Sequence, residues 1–224
     1  MPTRTFEERI NERVLSGVEY RMTRVIEARS DDDDGRKVVR GYATTFDDEY
    51  LLYDWGDYKV YEKVDRHAFD DCDMSDVIMQ YDHQGRVFAR TRNKTLTLKT
   101  DDHGLAIEAD LSGTELGGQV YGEIRGGYTD RMSMAFRVAQ DKRTYVENHN
   151  TGVIAMHRTI TKISKLYDVS AVSLPANDGT EISAHRLFDG MLEEFKKEAL
   201  EAEKRARKAR AMSLMIDSMI GKEK

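Results

Sequence analysis

Ser133 stands inside the apolar run Met132-Ser133-Met134-Ala135-Phe136, shortly after the break at Gly126-Gly127. A serine hydroxyl is a poor nucleophile at neutral pH and needs a base beside it. A neutral imidazole can take its proton, and a carboxylate can fix the imidazole's tautomer and stabilise the imidazolium that forms. Two residues elsewhere carry the matching chemistry. His83 ends the run Val77-Ile78-Met79-Gln80-Tyr81-Asp82 just before the turn signal Gln84-Gly85, where a side chain can reach a neighbouring strand. Asp168 shares a mostly apolar strand face with Leu166, Ser170, Val172 and Leu174, and a buried carboxylate needs a partner. Such triads occur in any chain order, so His83, Ser133 and Asp168 form an admissible set. On spacing alone, the reading of Ser133 as an ordinary strand serine satisfied by a neighbour stays open. Asp82 is a rival orienting acid; against it, adjacent residues on a strand face opposite ways.

The elements that must position these groups follow from hydrophobic period. Met132, Met134, Phe136 and Val138 alternate with Ser133, Ala135, Arg137 and Ala139, which predicts a strand with a large apolar face and a small, polar face bearing the hydroxyl. Arg137, on the serine's face, is open to two readings, an aid to holding the oxyanion or a solvated rim residue, and the second is the simpler. Ser112-Gly113-Thr114-Glu115 has capping-box spacing, and Leu116, Val120, Tyr121 and Ile124 continue at helical intervals, so a helix delivers the chain to that strand. Upstream, residues 38–46 and 58–64 read as strands, Trp55 covers a core edge between them, and Asp65 caps a turn carrying Ala68 and Phe69. Residues 95–99 and 105–111 flank Asp101-Asp102-His103-Gly104 as a hairpin. Residues 140–155 read as a polar excursion before a central strand from Ile160 to Leu174, closed by Pro175-Ala176-Asn177-Asp178-Gly179. Phe6, Ile10, Val14 and Leu15 fit a short amphipathic helix before the acidic run at 31–34. Phe188, Met191, Leu192, Phe195 and Ala199, then Met212, Met215, Ile216, Met219 and Ile220, form apolar stripes of a helical tail suited to packing, self-association or docking.

Composition bounds the function. A chain of 224 residues has room for one sizeable core with extensions, here divided into a polar N-terminal extension (1–36), a central domain (37–186) and a helical tail (187–224). A net charge of -6 argues against sequence-independent nucleic-acid binding. The single cysteine, Cys72, leaves no internal disulfide and no paired-cysteine zinc site, and suits a reducing, cytoplasm-like compartment. No long apolar run predicts a membrane span or a secretory signal. His103, His149, His157 and His185 read as solvated, no metal-binding spacing is present, and no cofactor is expected.

At these residues the sequence resembles the prohead maturation serine proteases of tailed bacteriophages, a family related in fold to the herpesvirus assemblins. Gly41-Tyr42-Ala43 with Phe46 resembles the family's opening strand, Ala68-Phe69 the end of its Gly-Ala-Phe element, and Asp82-His83 its histidine motif. Gly104-Leu105 with Leu111 resembles the hairpin that follows, and Met132-Ser133-Met134-Ala135-Phe136 the Met-Ser-Ile-Gly-Phe serine motif. Asp168-Val169-Ser170-Ala171-Val172 and Pro175-Ala176-Asn177 resemble its Glu-Val-Ser-Leu-Val and Pro-Ala-Asn signature. The likeness runs over residues 37–185 in the family's order; His67 and Ala135 replace glycines, and Asp168 stands where relatives often have glutamate. The resemblance implies an α+β, mainly β fold: an assemblin-like barrel packed with helices, with the C-terminal helix outside it. It implies a serine endopeptidase with Ser133 as nucleophile, His83 as general base and acid, and Asp168 orienting the imidazole. The place of action would be the immature capsid in the host cytoplasm, the partners the major capsid protein and scaffold, the targets scaffold, the scaffold-like part of the capsid protein and the protease itself, with dimerisation as in assemblins. A non-catalytic assembly protein keeping the fold is the alternative, and the absence of a Gly-x-Ser-x-Gly elbow argues against other serine hydrolases.

Overall fold

The computed structural model describes residues 17–23, 26–28, 35–148, 150–172, 196–201, 204–205, 207–208 and 210–212. Its strands are β1 (Glu19–Thr23), β2 (Ile26–Ala28), β3 (Val38–Thr45), β4 (Tyr50–Asp54), β5 (Tyr58–Val64), β6 (Ile78–Tyr81), β7 (Gln84–Arg90), β8 (Leu96–Thr100), β9 (Gly104–Asp110), β10 (Arg131–Asn148) and β11 (Val153–Val172); helix α1 is Glu115–Arg125. The expected N-terminal helix, the Pro175-Ala176-Asn177 motif, His149, His185 and most of the tail stripes lie outside the described residues.

Local signals decide most of these elements. β5 and the β8–β9 hairpin fall where the β-prone, alternating runs predict them. α1 starts as expected but from a different cap: the Thr114 hydroxyl accepts from the Gly117 N–H at 2.9 Å, while Ser112 instead accepts from the Lys37 N–H at 2.8 Å. The predicted turn after β5 holds, with Asp65 accepting from the His67 N–H at 2.9 Å and Ala68 and Phe69 buried. The polar excursion is a correction: β10 and β11 run on as strands on either side of a turn at 150–152. Exposed strand pairs need no apolar alternation, so the hydrophobic period falls silent there although the backbone ladder continues.

β2, β3, β9 and β8 make one sheet, in that order; the other runs β1-β10-β11-β5-β4, with β6 pairing β11 and β7 pairing β6. The expected barrel is not closed. Closure requires the last strand of a ladder to pair with the first, whereas the larger sheet's path ends on β1 and β4 and the smaller sheet on β2 and β8, and neither pair of end strands is joined. The chain divides into two compact units, the first Met1–Tyr50, Glu62–Lys142 and Arg158–Gly179, the second Leu51–Tyr61, Arg143–His157 and Thr180–Lys224. The first has a core drawing Val39, Ile107 and Ala109 from one sheet, Met132, Met134, Phe136 and Ile163 from the other, and Val120 and Ile124 from α1. In the second, Val60 and Met156 are buried among Leu52, Tyr53, Trp55, Tyr58, Tyr145 and Ile154. There Trp55 stacks on Tyr53, and residues 196–201 are helical, with Ala199 buried and Glu198 accepting from Tyr145 at 2.5 Å.

The first unit also buries a network of charges that fixes β1. Arg21 is bidentate on Glu62, which is fully buried. Arg158 donates to Glu62 at 2.9 Å, to Glu19 at 2.7 Å and to Asp141 at 2.6 Å, and Tyr50 donates to Glu62 at 2.7 Å. Burial alone pushes the Glu19 carboxyl upward, but its hydrogen bonds and charge contacts with Arg158 and Arg21 outweigh this and bring it down to about 2. Its folded value lies below its ordinary 4.5, so the stabilisation is complete above the latter and is lost as pH falls toward the former. The loss is on the order of 3 kcal/mol. Acid titration of the unfolding midpoint is expected to fall more steeply below about pH 4.5 in wild type than in Glu19→Gln. Parallel titrations of the two would contradict the assignment.

Candidate active site

β10 carries Ser133 on the face opposite Met132, Met134 and Phe136, as the alternation requires. The face is small but not open: Ser133 and Ala135 are both buried. β11 lies beside β10 and presents Asp168, which is 2 % exposed. β6 pairs parallel with β11, Ile78 opposite Asp168 and Tyr81 opposite Ala171, and the Asp82 N–H donates to the Ala171 carbonyl at 2.9 Å. This bond pins the β6–β7 turn next to the carboxylate.

His83 is not at the strand's end but in that turn. Tyr81 pairs with Gln84, and the two residues between them, Asp82 and His83, have φ of 47° and 55°. Positive φ at both central positions is the pattern of a type I′ hairpin turn, whose twist matches the strands it joins. Left-handed backbone at a histidine costs roughly 1–2 kcal/mol, and strain of this kind persists only where surrounding contacts enforce it. Here the contacts are on the side chain. His83 Nε2 lies 2.6 Å from Ser133 Oγ and Nδ1 lies 2.5 Å from Asp168 Oδ1. An ionised carboxylate only accepts, so Nδ1–H donates to Asp168 and leaves Nε2 as acceptor for the serine hydroxyl.

The structure therefore brings Ser133, His83 and Asp168 together, from β10, the β6–β7 turn and β11. Asp82 shares the turn, where strand alternation no longer governs its direction, and Asp168 is the carboxylate on the imidazole. Arg137 is exposed, its guanidinium over the Tyr167 ring at 5.9 Å. Two neighbours escaped sequence reasoning. Ser170, fully buried, donates to Asp168 Oδ1 at 2.8 Å; its place two residues along the same face was the available signal. Tyr20 on β1 meets the His83 ring edge-to-face, centroids 4.7 Å apart; nothing in its local pattern announces this.

A hydroxyl, an imidazole and a buried carboxylate joined in line have the geometry by which serine hydrolases activate a nucleophile. The comparison with known families narrows the class. The model of the caudovirus prohead serine proteases matches residues 24–198, and the chain belongs to that family. Membership implies a serine peptidase that works with phage capsid proteins inside the procapsid. No curated protein and no solved structure matches the chain. No helix of the described residues is long and apolar enough to cross a membrane.

Proposed function

We propose that the protein is the endopeptidase of prohead maturation, cutting scaffold or the scaffold-like part of the capsid protein, and itself, with Ser133 as nucleophile. The observation that carries this reading is the unbroken relay from Ser133 through His83 to Asp168, with contacts of 2.6 and 2.5 Å. Ser133 Oγ attacks the scissile carbonyl as its proton passes to His83 Nε2, and Asp168 holds the imidazolium through Nδ1–H. The imidazolium then gives that proton to the departing amine as the C–N bond breaks, leaving an acyl ester on Ser133. Water, deprotonated by the same nitrogen, hydrolyses the ester and restores the hydroxyl.

Wild type and Ser133→Ala, each incubated with purified scaffold and capsid protein, are expected to differ completely by intact mass: discrete fragments with wild type, none with the variant. Intact proteins in both, together with no labelling of Ser133 by a fluorophosphonate under assembling conditions, would favour a non-catalytic assembly protein that keeps the fold.

A further inference from the structure

We propose that β1, which precedes the family-matched segment, completes the active site, and that Tyr20 is a positioning residue for His83. The inference rests on the triad reading above. β1 pairs antiparallel with the start of β10, setting Met22 opposite Ser133, Arg21 opposite Met134 and Tyr20 opposite Ala135. Directly opposed residues share a face, so Tyr20 belongs to the face of Ser133 and Arg21 to the core face. The contacts agree: Tyr20 lies against the His83 ring, and Arg21 reaches Glu62 with its guanidinium over Phe136 at 5.7 Å.

The charge network then has a function in the site. A slip of one residue would exchange the two faces of β1, bringing Arg21 to the imidazole and Tyr20 to the buried carboxylates. A fully buried Glu62 tolerates no such exchange, so the ionic cluster holds the register in which an aromatic ring meets His83. That ring matters whenever Nε2 must be aimed, first at the Ser133 proton and then at the leaving nitrogen. Once Ser133 Oγ is bonded to the substrate carbon, the imidazolium keeps, among the described residues, its bond to Asp168 and its contact with Tyr20. A ring held on one side and walled on the other keeps Nε2 aimed at the leaving nitrogen, and a misplacement of about 1 Å in such a group costs up to about 100-fold in rate.

The test uses the full chain and a small probe that needs no substrate docking, a fluorophosphonate, with the pseudo-first-order labelling rate of Ser133 as readout. Tyr20→Leu keeps apolar bulk and loses the ring; Tyr20→Phe keeps the ring and loses the hydroxyl. Labelling is expected to slow by about 10- to 100-fold in Tyr20→Leu and to stay within about threefold of wild type in Tyr20→Phe. The far-downfield proton resonance of the His83 Nδ1–H bond should persist in Tyr20→Phe and broaden in Tyr20→Leu, at unchanged melting temperature. Wild-type labelling by Tyr20→Leu overturns the proposal, and faster labelling overturns it in favour of β1 as an inhibitory cover. A wild type that never labels sinks the triad reading itself, and the inference with it.

Discussion

Asp168→Ala is expected to slow labelling of Ser133 by about 10⁴-fold, the scale on which loss of the acidic member acts in serine hydrolases. Without the carboxylate, nothing selects the tautomer that leaves Nε2 free to accept the serine proton, and nothing balances the imidazolium. Asp168→Asn is expected to lose less. The Ser170 hydroxyl and the His83 Nδ1–H both point at Oδ1 of Asp168, so they favour the amide oxygen at that position and preserve the tautomer, leaving only the missing charge to slow the reaction. Labelling rates of the two variants, with circular dichroism to check the fold, decide the matter. A rate near wild type in Asp168→Ala would remove Asp168 from the mechanism; an equal loss in both variants would remove Ser170's part in orienting it.

The second large effect is on stability. The buried cluster sets three carboxylates, Glu19, Glu62 and Asp141, against the two guanidiniums of Arg21 and Arg158. Arg21→Met removes one of the cluster's two guanidiniums while its three carboxylates remain, and Glu62 is fully buried. Breaking a buried pair from one side costs about 3–5 kcal/mol, to be read from the denaturant midpoint. Adding Glu62→Leu to Arg21→Met removes the stranded carboxylate and is expected to recover part of that loss, because two well-packed apolar groups replace a pair at little net cost. A double variant less stable than the single one would contradict the view that the stranded charge, rather than lost packing, dominates.

The same cluster explains why β1 escapes sequence reading. A strand announces itself by apolar alternation, and in Glu19-Tyr20-Arg21-Met22-Thr23 the core-side positions 19 and 21 are charged, paired with each other and with Glu62 and Arg158 from distant parts of the chain. Residues 140–155 hide for a related reason: most of the described side chains there face solvent, and the few that pack, such as Tyr145 and Ile154, are too sparse to mark a strand period. Asp168 was legible as a carboxylate in an apolar row that must have a partner, and Ser133 as a hydroxyl on the small face of a strand. Those readings depend only on local period and on the cost of burying charge.

The period of β5, β8, β9 and the start of β10, the helix that precedes it, and the three residue types able to share a proton are all local properties of the chain. Their meeting depends on long-range pairing. The distances from His83 to Ser133 and Asp168 depend on a left-handed turn and on a parallel pairing of β6 with β11, and parallel partners are joined by no local turn that a sequence window can contain. Two open sheets in place of a barrel, and an N-terminal strand locked beside the nucleophile by buried charge, are likewise outcomes of long-range pairing. Their energies reside in contacts between segments that the linear order keeps far apart.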